Sequence, residues 1–157
     1  MHTVEIQNES GSRVDEKRLR AAAEKVLVQH NAPPDSTLTV VIGSNDLVAG
    51  LNRQYRGIDS PTDVLSFPAD TPQVGDDPPY LGDIIIAYPY AAAQAAREGH
   101  DLDDSLGLLV VHGTLHLLGY DHDTPENRAV MWTAQEAALR DLNIPLTIVP
   151  ALESYDH

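Results

Sequence analysis

Apolar residues alternate with polar ones, or run together, in four short segments that predict β-strands. Val4 and Ile6 alternate with polar neighbours across residues 3–8, which is the pattern of a strand with one buried face. The run Ile84-Ile85-Ile86 within residues 81–87 predicts a strand that is buried on both faces. The two remaining predicted strands, which are rich in β-branched or apolar residues, span 37–42 and 62–67.

Apolar residues recur at helical spacing in five other segments, which predict helices over 14–30, 44–55, 89–98, 103–118 and 125–142. Ser44 suits an N-cap and Pro125 suits a first helical turn. The strands are concentrated towards the N-terminal half, so regular β-α-β alternation does not extend through the chain. We therefore expect an α+β fold with a small mixed four-stranded sheet packed with about five helices.

The length of 157 residues predicts a single domain over 1–157. Residues 69–80 contain three prolines, one glycine and three aspartates. This composition predicts a mobile loop and not a linker, since too little chain follows for a second core.

The net charge of the chain excludes one class of nucleic-acid-binding protein. Lys and Arg total 10 and Asp and Glu total 24, so the net charge is −14. This excludes a protein that binds nucleic acid by broad phosphate neutralisation, although a small positive site on an acidic body remains compatible with it. The first residues show no secretory signal, and the apolar runs are too short to cross a bilayer. We expect a soluble, cytoplasmic protein with neither a membrane nor a DNA partner.

Three of the seven histidines fall in the segment His112-Gly-Thr-Leu-His116-Leu-Leu-Gly119-Tyr-Asp-His122. On a helix, His112 and His116 lie on one face, about 6 Å apart along the axis. Gly119 suits the left-handed residue that ends many helices, and a turn there can return His122 to the same point. The spacing HxxxHxxGxxH is that of a known zinc motif. We predict that these three imidazoles bind one Zn²⁺ ion per chain.

Two histidines at this helical spacing can also be ordinary core residues, and the third histidine after the glycine favours the metal site. The other histidines have no partner in the sequence, and we expect them to face solvent without a functional role. These are His2, His30, His100 and His157.

Three imidazoles with one open position make a catalytic zinc geometry, because structural sites normally use four protein ligands. Zinc lowers the pKa of bound water to about 7, which predicts a zinc-bound hydroxide as the nucleophile. The chain has no cysteine, so thiolate ligands are excluded. Asp83, Asp121 and Asp123 could hold the outer ring nitrogens of the ligands, or the latter two could cap backbone N–H groups; both interpretations remain open.

Zinc peptidases with this spacing carry a glutamate directly after the first histidine as the general base. Gly113 occupies that position here. Without the carboxylate, peptide hydrolysis lacks the group that activates water. The sequence therefore argues against a protease.

Two arginines, Arg53 and Arg56, lie three residues apart near a predicted helix end. The planar guanidinium matches a phosphate group through paired hydrogen bonds and stabilises developing charge on it. Arginines at this position also complement the helix dipole, and spacing alone does not separate these two roles. We retain both arginines as candidates for binding phosphate or RNA.

Four blocks of sequence, in order, closely resemble the YbeY family of metal-dependent endoribonucleases and rRNA maturation factors. These blocks are Leu51-Asn-x-x-Tyr-Arg56, Pro61-Thr-Asp-Val-Leu-Ser-Phe-Pro68, Leu81-Gly-Asp-Ile and the histidine segment. Residues 1–45 and 125–157 match only in length and pattern. The resemblance implies a compact α+β fold, zinc on His112, His116 and His122, and a functional Arg56. It also implies cytoplasmic work on rRNA, notably the 3′ end of 16S rRNA, with a role in ribosome quality control.

From these observations we expect a zinc-dependent endoribonuclease specific for single-stranded RNA, with rRNA and small-subunit ribosomal components as partners. Two alternatives stay open. The protein could be a metallohydrolase that acts on peptides or small esters. It could also be a non-catalytic ribosome-assembly factor whose zinc only stabilises the fold.

Overall fold

The computed structural model describes residues 2–69 and 79–148. It contains four strands and five helices, as predicted, followed by a short 3₁₀ turn. The strands are β1 (Thr3–Asn8), β2 (Thr37–Gly43), β3 (Val64–Pro68) and β4 (Tyr80–Ala87). The helices are α1 (Glu16–Gln29), α2 (Asn45–Arg56), α3 (Tyr88–Glu98), α4 (Leu102–Leu117) and α5 (Pro125–Asp141), and the turn is Leu146–Ile148.

Capping side chains set the starts of two helices. Ser44 accepts a hydrogen bond from the backbone N–H of Leu47 at 3.0 Å and caps α2, as predicted. Asp15 accepts from the backbone N–H of Arg18, so α1 begins at Glu16, two residues later than predicted. The carboxylate satisfies a backbone donor that has no partner within the helix.

The strands form one mixed sheet in the order β1-β2-β4-β3. β1, β2 and β4 are parallel, whereas β3 pairs antiparallel with β4, from Val64 opposite Ile86 to Pro68 opposite Gly82. The predicted α+β fold with a small mixed sheet is therefore confirmed. This order leaves β1 and β3 at the two edges of the sheet.

Both faces of the sheet are covered, and this produces two apolar cores. Successive side chains of a strand point to opposite faces, so Ile84 and Ile86 enter one core while Ile85 enters the other. The larger core also contains side chains of α1, α4 and α5, whereas the smaller contains Val48 and Leu51 of α2. The prediction that the last strand is buried on both faces is confirmed.

Helix α4 is the centre of the larger core. It packs against α1, α3, α5 and two strands, and nearly every residue from Leu106 to Leu117 is buried. A helix surrounded on all sides is apolar all round, which explains why its sequence has no polar stripe. The first two histidines of the predicted metal site lie on this helix and are held by rigid surroundings.

Most of the predicted loop, residues 70–78, lies outside the described residues, and β4 begins at Tyr80, one residue earlier than predicted. In the parts of the chain that the structure describes, no helix has both the length and the apolar character needed to cross a membrane.

The expectation that four histidines face solvent is wrong for His2. Its side chain is 9% exposed, and Nδ1 lies 3.1 Å from Oε2 of Glu24. His30 is half-buried, with Nδ1 3.0 Å from the hydroxyl of Tyr120. These partners are 22 and 90 residues away along the chain, so no local pattern reveals them. His157 lies outside the described residues.

Candidate metal centre and active site

The predicted histidine pair meets on one face of α4. Nε2 of His112 lies 3.1 Å from Nε2 of His116. Two nitrogens at 2.0–2.1 Å from a tetrahedral zinc ion are about 3.3 Å apart, so this separation fits two ligands of one ion. The one-turn spacing on a well-packed helix produces this geometry directly.

Gly119 brings the third histidine back to the pair. Helix α4 ends at Leu117, and Gly119 has a φ of +99°, a conformation that costs glycine little. The chain reverses there, and the ligand atoms of His112, His116 and His122 all lie within 4.8 Å of one another. The three histidines thus form a group able to bind a metal ion.

The outer ring nitrogens of the first two histidines face oxygen acceptors. Nδ1 of His112 lies 3.1 Å from Oε1 of Gln135, and Nδ1 of His116 lies 2.9 Å from the carbonyl oxygen of Tyr120. A proton on each Nδ1 leaves a lone pair on each Nε2. Two lone pairs 3.1 Å apart repel unless a cation lies between them, so the donor set fits a metal ion.

These acceptors differ from the three aspartates considered in the sequence. Asp121 accepts from the backbone N–H of His122, Asp123 accepts from the side-chain amide of Asn127, and Asp83 accepts from the hydroxyl of Tyr80. The capping interpretation therefore holds for Asp121, which bonds a backbone N–H. The hydrogen bond from Asn127 lowers the pKa of the Asp123 carboxyl below its ordinary value.

The histidines open into a cavity of about 510 Å³. Arg56 and Ser66 line the same cavity, as do Asp121 and Asp123. The fold therefore brings Arg56 from the end of α2 to the three histidines of α4 and its following turn. Cationic and potential metal-binding groups facing one space can act together on an anionic group such as a phosphodiester.

Arg53 lies elsewhere. It is exposed, and its Nη1 is 3.9 Å from Oδ1 of Asp59. Among the described residues that line the histidine cavity, Arg56 is present and Arg53 is not. Three residues on a helix turn through about 300°, which leaves the two arginines only about 60° apart around α2. Their side chains nevertheless diverge, since Arg53 lies near Asp59 and Arg56 lines the cavity.

Comparison with known proteins agrees with this arrangement. The family model described as "Endoribonuclease YbeY" matches residues 5–143. The chain belongs to the YbeY family. The match includes all four strands except the first two residues of β1, and all three histidines.

Relatives of this YbeY-family chain align along most of its length. The protein named endoribonuclease YbeY from Chloroflexus aurantiacus is 40% identical over 92% of this chain and 98% of its own. The one from Geobacillus thermodenitrificans is 47% identical over 69% of this chain and 74% of its own. The solution structure of TM1509 from Thermotoga maritima is 29% identical, with a TM-score of 0.61 and 88% of each chain covered.

The sequence did not predict two residues that contact the three histidines of this YbeY-family chain. Gln135 interrupts the buried face of α5 between Met131 and Leu139, and a polar residue within such an apolar stripe is the signal that could have revealed it. Trp132 packs edge-on against His112 and His122, with ring centroids 5.9 and 5.6 Å apart. Gln135 therefore contacts the ring of His112, and Trp132 contacts the rings of His112 and His122.

The close packing around Gly113 explains why this position does not carry the general-base glutamate of zinc peptidases. A Cβ atom at this position would lie 2.8 Å from Cγ2 of Ile84, which is fully buried on β4. A larger side chain would have to enter the contact between α4 and the sheet. The position after the first histidine of this YbeY-family chain therefore has no room for a glutamate.

Proposed function

We propose that this chain is a zinc-dependent endoribonuclease that cleaves single-stranded RNA, with residues 1–157 acting as one domain. It would act in the cytoplasm, where it would mature the 3′ end of 16S rRNA and take part in ribosome quality control. Its partners there would be components of the small ribosomal subunit. The observation that carries the proposal is that Arg56 and a three-histidine group line one cavity. The relatives' name, endoribonuclease, supports RNA as the substrate.

In this proposal His112, His116 and His122 hold the zinc ion. A bound zinc ion would supply activated water at neutral pH and polarise a phosphoryl oxygen. Gln135 and the carbonyl of Tyr120 keep the first two imidazoles in the tautomer that presents Nε2 to the ion. Such outer contacts fix ring orientation before any ligand arrives.

Arg56 is the proposed phosphate clamp. Its guanidinium can donate two parallel hydrogen bonds to phosphate oxygens and stabilise the negative charge that develops as the phosphodiester is attacked. Asp121 and Asp123 line the same cavity, and their carboxylates repel a phosphate. The charge distribution therefore directs the phosphate towards Arg56.

The peptidase alternative has less support. The position of the peptidase general base is Gly113, which packs closely against Ile84. A peptidase would need another group to activate water and pass its proton to the leaving amine. We therefore favour a phosphodiester substrate over a peptide.

The test combines metal content with RNA cleavage. We expect about one equivalent of zinc in the purified wild type and loss of both zinc and cleavage in the triple variant His112→Ala/His116→Ala/His122→Ala. His100→Ala is the matched control, because it removes a histidine outside the metal-binding group, and it should retain both. A folded triple variant that still cleaves single-stranded RNA would refute the catalytic role of the metal.

A non-catalytic assembly factor predicts another result. In that case His116→Ala, if still folded, would preserve rRNA processing in cells, and the purified wild type with full zinc would leave RNA intact. Peptide or ester turnover that a chelator abolishes, without RNA cleavage, would favour the other metallohydrolase.

A further inference from the structure

A second groove lies on the face of the sheet opposite the histidine cavity. It has a volume of about 440 Å³, and its lining includes Tyr55, Phe67 and Asp83. Phe67 and Ile85 of the groove pack with the core on the α2 side. The first two histidines lie on α4, and their cavity extends around β3 as far as Leu65. The groove and the cavity therefore lie on either side of one edge strand.

An aromatic pair, the exposed Tyr55 and the partly buried Phe67, forms one wall of the groove. Tyr55 is 62% exposed, which is unusual for so large a ring, and its centroid lies 5.1 Å from that of Phe67 at an interplanar angle of 61°. Exposed aromatic rings in proteins that bind single-stranded nucleic acid are stacking platforms for bases. The groove thus offers a surface that suits a flat, uncharged ring.

Residues that are adjacent in the chain line the groove and the histidine cavity. Tyr55 immediately precedes Arg56, and Phe67 immediately follows Ser66; Arg56 and Ser66 both line the cavity. Strand β3 is at the edge of the sheet, so an extended strand of RNA can cross it without displacing another strand. One ligand can therefore reach both spaces.

The charges determine which part of a nucleotide enters the groove. Asp83 pairs with Phe67 across the β3–β4 ladder and brings a carboxylate into the lining. A carboxylate repels a phosphate but accepts hydrogen bonds from the N–H groups of a base. Arg53 and Arg56 lie on the neighbouring helix end and attract phosphates. The groove consequently suits the base, and the arginine side suits the backbone.

We propose that this groove is a subsite in which one unpaired base stacks on the exposed ring of Tyr55 and contacts Phe67 with its edge, beside the nucleotide whose phosphate lies at Arg56. The position of that phosphate rests on the proposed function, whereas the stacking itself is a property of binding and does not require cleavage. The occupant is a base of single-stranded RNA, and a duplex, whose bases are already stacked and paired, does not supply one.

Binding of a hydrolysis-resistant RNA analogue tests the subsite. The probe is a fluorescein-labelled ten-adenosine oligomer with 2′-O-methyl and phosphorothioate groups, and the readout is anisotropy with zinc-loaded protein at low salt. We expect Tyr55→Leu to weaken binding about tenfold, as for loss of one base–aromatic stack, and Tyr55→Phe to bind as the wild type does. Val28→Ala, which trims an exposed side chain on α1, is the control for loss of surface apolar area.

The outcomes separate this proposal from the proposed function. Unchanged binding by Tyr55→Leu would overturn the subsite even if the wild type cleaves RNA. Tenfold weaker binding by Tyr55→Leu, with binding by Tyr55→Phe and Val28→Ala unchanged, would support the subsite even if the wild type does not cleave. A wild type that binds neither this oligomer nor its uridine counterpart would also overturn it.

Because Tyr55 is mostly exposed, Tyr55→Leu should fold. Phe67→Leu provides a second variant, at the other ring of the aromatic pair, and should also weaken binding. A 2-aminopurine base within the oligomer adds a spectroscopic readout: its fluorescence should be quenched by the wild type and by Tyr55→Phe, and not by Tyr55→Leu. Quenching that persists in Tyr55→Leu would contradict the stack.

Discussion

Nδ1 of His112 on α4 lies 3.1 Å from Oε1 of Gln135 on α5, and the Gln135 side chain is completely buried. The two residues are 23 positions apart in the chain. The contact joins the candidate metal centre to the last helix, and it selects the tautomer of His112 that offers Nε2 to an ion. In the part of the chain that the structure describes, Nε2 of Gln135 has no hydrogen-bond partner. An unpaired buried N–H group lowers the stability of the fold.

This contact predicts a large effect on metal affinity and a small one on folding. We expect Gln135→Leu to weaken metal affinity by about 10–100-fold, the range for loss of a contact behind a ligand. The free energy of unfolding of the metal-free variant should change little, because removal of an unpaired buried N–H offsets the loss of the acceptor for Nδ1 of His112. Chelator competition measures the first quantity and urea unfolding of the metal-free protein the second. Equal metal affinities would show that Gln135 does not orient His112.

The two arginines at the end of α2 predict different kinetic effects. Because Arg56 lines the cavity and Arg53 does not, we expect Arg56→Ala to lower kcat for RNA cleavage by about 10²–10³-fold, as for loss of a donor to a developing oxyanion. Arg53→Ala should mainly raise KM and make the salt dependence less steep by about one unit. Steady-state kinetics at several salt concentrations distinguish the two.

Arg56→Lys refines this prediction. Lysine keeps the charge but lacks the planar pair of donors, so its kcat should fall between those of the wild type and Arg56→Ala. Similar losses for Arg53→Ala and Arg56→Ala would mean that only local positive charge matters, and the clamp would have to be abandoned.

Two glycines of α4 provide a matched test of packing. A Cβ atom on Gly113 would meet three atoms of the buried Ile84 at 2.8–3.2 Å, whereas one on Gly107 would meet only the terminal Cδ1 of Ile144. Overpacking costs about 1–3 kcal/mol, and alanine gains about 1 kcal/mol in a helix. We expect Gly113→Ala to lower the free energy of unfolding and Gly107→Ala to leave it nearly unchanged in denaturant titrations. The reverse order would show that the sheet yields easily at Ile84.

Tyr80 predicts a pH dependence of stability. Burial, followed by the hydrogen bond to Asp83, raises the pKa of Tyr80 above its ordinary value of 10.0. The neutral phenol is therefore favoured in the folded state, and its contribution is complete below pH 10 and declines as the pH rises above that value. The difference in unfolding free energy between the wild type and Tyr80→Phe should be constant from pH 7 to about 9 and decrease above 10.

The comparison with Tyr80→Phe cancels the titration of the other five tyrosines. Unfolding curves at closely spaced alkaline pH values give the difference directly. A difference that grows above pH 10 would have the wrong sign and would exclude the hydrogen-bonded neutral phenol.

Short-range features of this protein follow from the sequence alone. The helical pair His112 and His116, the reversal at Gly119 and the cap at Ser44 each depend on residues within a few positions of one another, where backbone geometry leaves few choices. The number and type of the strands and helices also follow from apolar periodicity. These features were sufficient to predict the α+β class and the three-histidine group.

The tertiary structure alone decided which distant residues meet. The sheet order places β3 at an edge, so Arg56 reaches the histidine cavity while the adjacent Tyr55 faces the opposite groove. Gln135 meets His112, and Glu24 meets His2, only after helices pack on the sheet. Packing joins side chains from remote segments through shared buried surface, and the pattern within a single segment carries no record of its partner.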